Sequence, residues 1–296
     1  MPAISARGRE ALKGYAFIAP WLVGFCTFTL IPIGLSLYYS FCDYSLLQRP
    51  VFRGLENYRT LASDGVFWKA MGNTFYYAAL SLPLCAVAAL SAALLLNAKV
   101  RGQAVYRTIV FLPSIVPAVA SAMLWLWLFN PKLGLINFAL GLLGVSEQPG
   151  WLGSERWAMP ALVLISIWGA GNTVVIYLAG LQDVPRELYE AAELDGAGAL
   201  RRVWHVTLPM LSPVIFFNLI MAMIGAMQVF VLPLIMTQGG PARSTYFFTY
   251  YLYDNAFVYL KMGYASAMAW VQLLIVLALT ALAFWTSKRW VHHSAA

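Results

Sequence analysis

The amino-acid sequence predicts an all-α integral membrane protein with six transmembrane helices. Of its 296 residues, 61% are hydrophobic and only 10% are charged, and the mean hydropathy is +0.71. A soluble domain is about a quarter charged, so this chain lacks the charge needed to cover a water-facing surface. Lipid must therefore serve as the solvent for much of the chain.

Six apolar runs contain no Asp, Glu, Lys, Arg or His and are long enough to cross a bilayer. The first run follows Arg7, Arg9 and Lys13 and is too long for a signal peptide, so we expect it to remain as a span. Neighbouring helices are expected to satisfy the backbone groups that prolines within the runs leave free. The predicted spans are Tyr15–Phe41, Asn73–Asn97, Thr108–Phe129, Trp157–Leu181, Leu208–Met236 and Met262–Ser287.

The basic residues indicate how the spans are oriented. An even number of spans places both termini on one side, and eleven of the nineteen Lys and Arg residues, among them Lys99 and Arg107, fall on that side. The positive-inside rule then predicts that both termini are cytoplasmic. The net charge of +7 is spread along the edges of the apolar runs rather than gathered in one groove, which argues against nucleic acid as a partner.

Enzymatic activity is not expected of this chain. The spans hold no histidine or carboxylate, so a nucleophile with its base and a set of metal ligands are both missing. Three cysteines without a C-x-x-C spacing, and the adjacent pair His292 and His293, do not suggest a metal site. A phosphate-binding loop is also absent from the sequence. A secondary carrier and a non-transporting membrane scaffold remain open as alternatives.

The connection between spans four and five, residues 182–209, is the most informative stretch. Asp183 and Pro185 are good helix-start residues, the following Glu and Ala residues favour a helix, and Gly196 suits its end. A short helix is therefore predicted along the inner membrane face. It is either a solvated link between two spans or a docking helix. For docking, Ala191 and Ala192 would let a partner's groove close over them.

The same stretch resembles the EAA motif of binding-protein-dependent ABC importer permeases. Glu190-Ala-Ala192, Gly196 and Val206-Thr-Leu-Pro209 stand at the spacing of that family, with Val206 in place of the commoner isoleucine. In the family this loop forms the coupling helix that docks into a cleft of the ATPase subunit. The resemblance implies an ATPase-coupling contact made by Glu190, Ala191, Ala192, Asp195 and Gly196.

Other segments resemble the carbohydrate-uptake branch of the family, of the maltose or glycerol-phosphate permease type. The likeness covers about residues 15–290, within a single transmembrane domain spanning 1–296. The segments are Asn73-Thr74, Phe111–Pro117, Trp125–Phe129, Gly134–Asn137, Met236–Pro241 and Gly263–Ala267.

The resemblance also implies the function and partners of the chain, and a location in a prokaryotic cell (inner) membrane. It would form half of the pathway for a sugar, oligosaccharide or related polyol, beside a second, homologous permease. Two ATPase subunits would bind below it and an extracytoplasmic substrate-binding protein above it. ATP and magnesium would be held by the ATPase, and this chain itself would carry no cofactor.

Sugar contacts in the family come mainly from the spans on either side of the EAA loop. Those spans offer five polar or aromatic side chains, each of which could instead pack or hydrogen-bond to a neighbouring helix. Because Trp168 and Asn172 are four residues apart, we expect them to share a helix face. The outer loop 42–72 has the side and length to meet a binding protein. The candidate pathway residues are Trp168, Asn172, Tyr177, Asn218 and Gln228.

Overall fold

The computed structural model of the protein describes residues 6–98 and 101–292. Lys99, His293 and the ends of the predicted 1–296 domain lie outside the described residues. The described chain is mostly helical and has one short hairpin, β1 (Cys42–Asp43) with β2 (Val51–Phe52). The helices are α1 (Ala6–Phe25), α2 (Ile31–Ser40), α3 (Glu56–Ser63), α4 (Gly65–Asn97), α5 (Gln103–Phe111), α6 (Ala118–Leu128), α7 (Leu135–Leu142), α8 (Glu155–Trp168), α9 (Gly171–Gln182), α10 (Arg186–Leu194), α11 (Ala199–Arg202), α12 (Leu208–Met227), α13 (Val231–Met236), α14 (Phe248–Tyr253) and α15 (Met262–Ser287).

The prediction of an all-helical membrane-spanning chain is confirmed, with four to six candidate spans among the described residues. Four continuous segments are long and apolar enough to cross a membrane: Lys13–Ser40, Gly65–Asn97, Ala199–Met236 and Met262–Ser287. Two further candidates are pairs of helices that meet at a bend, α5 with α6 and α8 with α9.

The predicted third span, Thr108–Phe129, is not one straight helix. The segments Gln103–Ile115 and Ala118–Leu128 meet at an angle of 101°. The cause is local, since Pro117 has no N–H to donate and its ring disfavours a helical conformation of the preceding residue. Val116 is accordingly extended, with φ −69° and ψ 127°. A hydropathy pattern cannot detect this bend, because it reports the polarity of the side chains and not the direction of the backbone.

The predicted fourth span, Trp157–Leu181, is also bent, by 46° between α8 and α9. Gly171, the first residue of α9, lies directly against α5. A Cβ atom at this position would come within 2.7 Å of the Val110 carbonyl oxygen and 3.1 Å of the Phe111 Cα. A glycine is thus required for the backbones of α5 and α9 to approach this closely.

The chain forms two compact units, and the first comprises Met1–Asp64 and Leu252–Gln272. Within it, the β-hairpin follows α2, with Cys42 opposite Phe52. Asn57 Nδ2 donates hydrogen bonds to the carbonyls of Ser40 and Cys42, both at 2.9 Å. The outer loop predicted between residues 42 and 72 thus contains the hairpin, α3 and the start of α4.

The N-terminal half of α15 packs against this hairpin in the same unit. Gly263 N donates to the Tyr44 carbonyl at 3.0 Å, and a Cβ atom at Gly263 would collide with the Cys42 carbonyl oxygen. Tyr264 Oη donates to the Asp64 carboxylate at 2.6 Å. The segment Gly263–Ala267 therefore has a structural reason for its glycine and its tyrosine.

The second unit comprises Gly65–Tyr251 and Leu273–Ala296 and is built around α4. The C-terminal half of α4 packs against α9 and α12 through small residues such as Ala89 and Ala93, which are almost fully buried. Its N-terminal half packs into a larger core together with α6 and α8, where Trp125 and Leu162 are buried. Small side chains on α4 allow this close helix packing.

The loop after α13 is fastened to α4 by two polar side chains. Asn73 Nδ2 donates to the carbonyls of Arg243 and Tyr246 at 2.7 and 3.1 Å. Thr74 Oγ1 accepts a hydrogen bond from the Phe248 N–H at 2.9 Å. Two segments that carried the family resemblance, Asn73-Thr74 and the loop following Met236, are thus brought together from distant parts of the chain.

Gly171→Ala is expected to lower the free energy of unfolding by about 1–3 kcal/mol, because its methyl group would overlap the α5 backbone. Gly169→Ala is the matched control, since its nearest contact would be an ordinary 3.5 Å. The measurement is SDS-induced unfolding of the detergent-solubilised protein. Equal unfolding midpoints for the two variants would contradict the packing described for α5 and α9.

Candidate functional site

Helix α10 is an exposed amphipathic helix between α9 and α12. It begins after Pro185, whose fixed φ suits a helix start, and it continues to Leu194. None of its residues is fully buried, and Leu194 exposes 90% of its surface. An apolar side chain held this far into solvent on an ordered helix is a candidate contact for another molecule.

The C-terminal end of α10 is closed by a Schellman motif. Ala197 N donates to the Ala192 carbonyl at 2.8 Å, and Gly196 N donates to the Glu193 carbonyl at 3.0 Å. Gly196 has φ +74°, a left-handed conformation that L-residues adopt only at a cost. The predicted role of Gly196 as the helix end is therefore confirmed by its backbone geometry.

Two side-chain contacts hold one face of α10 against the chain that follows it. Tyr189 Oη and Thr207 Oγ1 share a hydrogen bond of 3.0 Å, and Thr207 is almost completely buried. Glu193 forms an ion pair with Arg202. Because Thr207 immediately precedes α12, these contacts connect α10 to the start of that helix.

The opposite face of α10 is free of these contacts and carries Glu190, Ala191 and Leu194, all exposed. Residues three and four apart share a helix face, so these three form one continuous surface, called here the outer face of α10. Ala192 and Asp195 instead line an open cleft of about 290 Å³ together with Arg201 and His205.

The structure thus brings the five residues of the predicted coupling contact together on α10 and its closing turn. The residues are not equivalent. Glu190 and Ala191 face outward, Ala192 and Asp195 line the cleft, and Gly196 shapes the turn. The spacing in the sequence could not distinguish outward-facing from cleft-lining residues. That distinction depends on which face of α10 is held by the contacts of Tyr189 and Glu193.

The five predicted pathway residues do not form one cluster. Tyr177 is buried among α4, α9 and α12, and Asn218 is buried with its Nδ2 donating to the Val214 carbonyl at 2.9 Å. Asn172 and Gln228 are exposed, and Gln228 caps the end of α12. Trp168 packs edge-on against an α6 aromatic residue.

The expectation that Trp168 and Asn172 share one helix face is wrong. Trp168 is the last residue of α8, whereas Asn172 lies in the first turn of α9. The 46° bend between them breaks the helical repeat on which a four-residue spacing depends.

A cavity of about 280 Å³ lies between α4, α8, α9 and α12, and none of the five predicted pathway residues lines it. Its polar lining comes from Tyr77, Ser81, Ser166 and Thr173. Ser166 Oγ donates to the Leu162 carbonyl at 3.0 Å and lies 2.5 Å from the Tyr77 hydroxyl, which places two hydroxyl groups side by side at the cavity wall.

Sequence reasoning missed Tyr77 and Ser81 because it considered only the spans that flank the EAA loop. Tyr77 and Ser81 are four residues apart on the continuous helix α4, so their shared face was visible in the sequence. Ser166 and Thr173 lie in a span that was considered, and they line the cavity from α8 and α9, on either side of the 46° bend. Their spacing of seven residues did not by itself point to a polar site.

Gly196→Ala is expected to destabilise the closing turn of α10 by about 1–2 kcal/mol, the cost of placing an L-residue in the left-handed region. The Ala197 amide should then exchange its hydrogen roughly 5–30 times faster. Gly198→Ala is the matched control, because Gly198 has φ −66°. Hydrogen-exchange mass spectrometry of the two variants tests this expectation. Equal exchange rates in the two variants would contradict the left-handed turn at Gly196.

Comparison with known proteins places this geometry in a family. The model of the family described as "Binding-protein-dependent transport system inner membrane component" matches residues 67–292. The chain is similar in fold to a chain in the crystal structure of a bacterial alginate ABC transporter in complex with an alginate pentasaccharide-bound periplasmic protein. The TM-score is 0.84 at 24% identity, and the match covers 97% of this chain and 98% of that one.

Relatives with similar sequences extend over nearly the whole chain. The probable ABC transporter permease protein YesP of Bacillus subtilis is 41% identical, over 96% of this chain and 93% of its own length. The trehalose/maltose transport system permease protein MalF of Thermococcus litoralis is 37% identical, over 80% of this chain and 81% of its own length. The lactose transport system permease protein LacF of Rhizobium radiobacter is 34% identical, over 94% of both chains. With its matched family model, its multi-pass helical fold and these relatives, the chain belongs to the family of binding-protein-dependent transport system inner membrane components.

Proposed function

We propose that this chain is one of two permease subunits of an ATP-driven importer that takes up a sugar or a related polyol. The observation that carries the proposal is the ordered, exposed helix α10, which bears the EAA motif and is fastened to the start of α12. On this view the chain is a single transmembrane domain, and it carries out no chemistry of its own.

The proposed substrate class follows from the relatives and from the lining of the cavity. Relatives bear the names of trehalose/maltose, lactose and sulfoquinovosyl glycerol transport systems. A neutral sugar is recognised by hydroxyl groups and flat apolar surfaces and needs no charged partner. The cavity between α4, α8, α9 and α12 has this character, with hydroxyl groups on an otherwise apolar wall.

We further infer six spans, with each of the two bent helix pairs counting as one. Both termini and the connection that contains α10 then lie on one side. The larger number of basic residues supports the cytoplasm as that side. This orientation would present α10 to a cytoplasmic ATPase dimer, and ATP and magnesium would be bound by that dimer.

The outer face of α10 is the proposed ATPase contact. Leu194 offers apolar surface to a partner's cleft, and full burial of a leucine side chain contributes about 1.5–3 kcal/mol. Ala191 allows close approach, and Glu190 offers a carboxylate at the edge of the contact. Ala192, Asp195 and Gly196 would shape the cleft and turn behind this face rather than make the main contact.

The proposed coupling has a physical path through the chain. Movement of α10 would be transmitted to α12 through the hydrogen bond between Tyr189 and Thr207 and the ion pair between Glu193 and Arg202. The other end of α12 lines the polar cavity through Ala222 and Ala226. Helix α9, which precedes α10, lines the same cavity through Thr173. Both helices that flank the coupling loop therefore extend from α10 to the cavity.

Substrate would pass along this cavity in the assembled importer. The cavity opens onto the surface of the unit rather than being enclosed, which suits a pathway completed by a second permease subunit. The binding-protein-dependent family supports an extracytoplasmic binding protein as the source of substrate. Of the five predicted residues, Trp168, Asn172 and Gln228 retain exposed or partly exposed side chains and stay candidates for the pathway. Tyr177 and Asn218 instead pack inside the unit.

Glu190→Arg is expected to weaken binding of the ATPase subunit by at least about fivefold, or to uncouple ATP hydrolysis from substrate, since the charge reverses on the outer face of α10. Co-purification and substrate-stimulated ATPase activity of the complex in lipid measure the two effects. The control is Glu147→Arg, which reverses the charge of an exposed residue outside α10 and should behave like the unmodified protein.

Two results would count against this assignment. Unchanged assembly, hydrolysis and uptake in Glu190→Arg would remove Glu190 from the contact and put the coupling role of α10 in doubt. Failure of any ATPase to associate with the unmodified chain would favour a secondary carrier or a membrane scaffold instead.

Thr173→Val is expected to reduce the apparent affinity for sugar about two- to tenfold without affecting assembly. The variant keeps the shape of the side chain and removes one hydroxyl group from the cavity, a loss of about 0.5–1.5 kcal/mol. Thr286→Val is the control, because that hydroxyl donates to the Leu282 carbonyl of its own helix. Sugar dependence of stimulated ATP hydrolysis measures both, and equal values would exclude Thr173 from the pathway.

A further inference from the structure

A second cavity lies away from the pathway, on the side of the unit where α10 is found. It is a groove of about 240 Å³ bounded by the end of α4, by α5 and by α9. Its walls are mostly apolar, with Val110, Val174 and Leu178 among them. Arg107 and Gln182 are the polar side chains of its lining.

Arg107 is the unusual member of this lining. Its Nε atom is buried and has no hydrogen-bond partner among the described residues. Within the described ranges no acidic side chain lines the groove, and no Asp or Glu occurs in α5. A buried guanidinium donor without an acceptor is costly, so an anionic group from outside the chain would be stabilised here.

Helices α5 and α9 set the positions of the polar residues along the groove. At one end Gly171 packs against Val110 and Phe111. Arg107 lies one helical turn from Phe111, and Gln182 ends α9 just before α10. At a rise of ~1.5 Å per residue, α9 spans roughly 17 Å between Gly171 and Gln182, which is the length of the groove wall that it forms.

The groove is held open by contacts within the unit. Gln103, at the start of α5, donates from Nε2 to the Leu96 carbonyl at 2.6 Å and to the Ala98 carbonyl at 3.3 Å. These bonds fix α5 beside the end of α4. The walls of the groove therefore exist before any ligand arrives, which lowers the entropic cost of binding.

We propose that this groove binds an anionic phospholipid from the leaflet on the α10 side. The phosphate accepts hydrogen bonds from the Arg107 guanidinium, and an acyl chain lies along Val174 and Leu178. A guanidinium group beside apolar walls between spans matches the two parts of such a lipid. In the proposed topology this is the cytoplasmic leaflet, whose lipids are anionic. Lipid binding in this groove is expected whether or not the chain transports a sugar.

The test is native mass spectrometry of the complete, detergent-purified complex titrated with dioleoyl phosphatidylglycerol or dioleoyl phosphatidylcholine. Arg107→Gln is expected to weaken phosphatidylglycerol binding about fivefold, which corresponds to the ~1 kcal/mol that one basic residue contributes to anionic-lipid attraction. Arg101→Gln is the matched control, with the same charge change on an exposed residue outside the groove. Arg107→Lys keeps the charge and should retain most of the affinity.

Ala179→Phe tests the apolar part of the site, because it fills the groove and leaves Arg107 in place. It should also release phosphatidylglycerol. Equal losses in Arg107→Gln and Arg101→Gln, or equal affinity for the two lipids, would overturn the proposal. Loss of a protein subunit from Arg107→Gln with lipid binding unchanged would show a protein interface instead. Because lipid binding is measured directly, failure of the coupling or sugar assays would not affect the outcome.

Discussion

Inside a bilayer each backbone N–H and C=O group needs a partner within the protein, and this constraint shapes both the helices of this chain and their interruptions. At the first bend Val116 N still donates to the Pro113 carbonyl at 3.2 Å. At the second bend Gly169 N donates to the Ile165 carbonyl at 2.9 Å. The chain thus changes direction twice within apolar sequence while neighbouring carbonyls keep accepting hydrogen bonds.

The second bend lies beside the polar cavity, since Ser166 and Thr173 line that cavity together with Tyr77 from the two sides of the bend between α8 and α9. The close contact at Gly171 holds α9 against α5, and Gly171 also lines the groove that contains Arg107. One glycine therefore influences both the packing of the unit and the groove.

Helix α10 differs from the spans, because both of its ends are set by local sequence signals. Helix α10 has a proline start and a Schellman end, and its fastened face is joined to α12 through Tyr189 and Thr207. The face left uncovered bears the motif residues and Leu194. A helix with one attached face and one exposed face is suited to transmit the displacement of a bound partner to α12, whereas a flexible loop would deform instead.

The sequence by itself determined the membrane-spanning helical class, the family and the position of α10. Composition, uncharged runs and the helix signals at Pro185 and Gly196 are local properties that do not require a fold. Only the tertiary structure decided which α10 residues face outward, that Tyr177 packs inside while Ser166 and Thr173 meet Tyr77, and that the buried Arg107 Nε lacks a partner among the described residues. Those facts depend on bends and on packing between residues far apart in the chain, and a hydropathy pattern does not contain them.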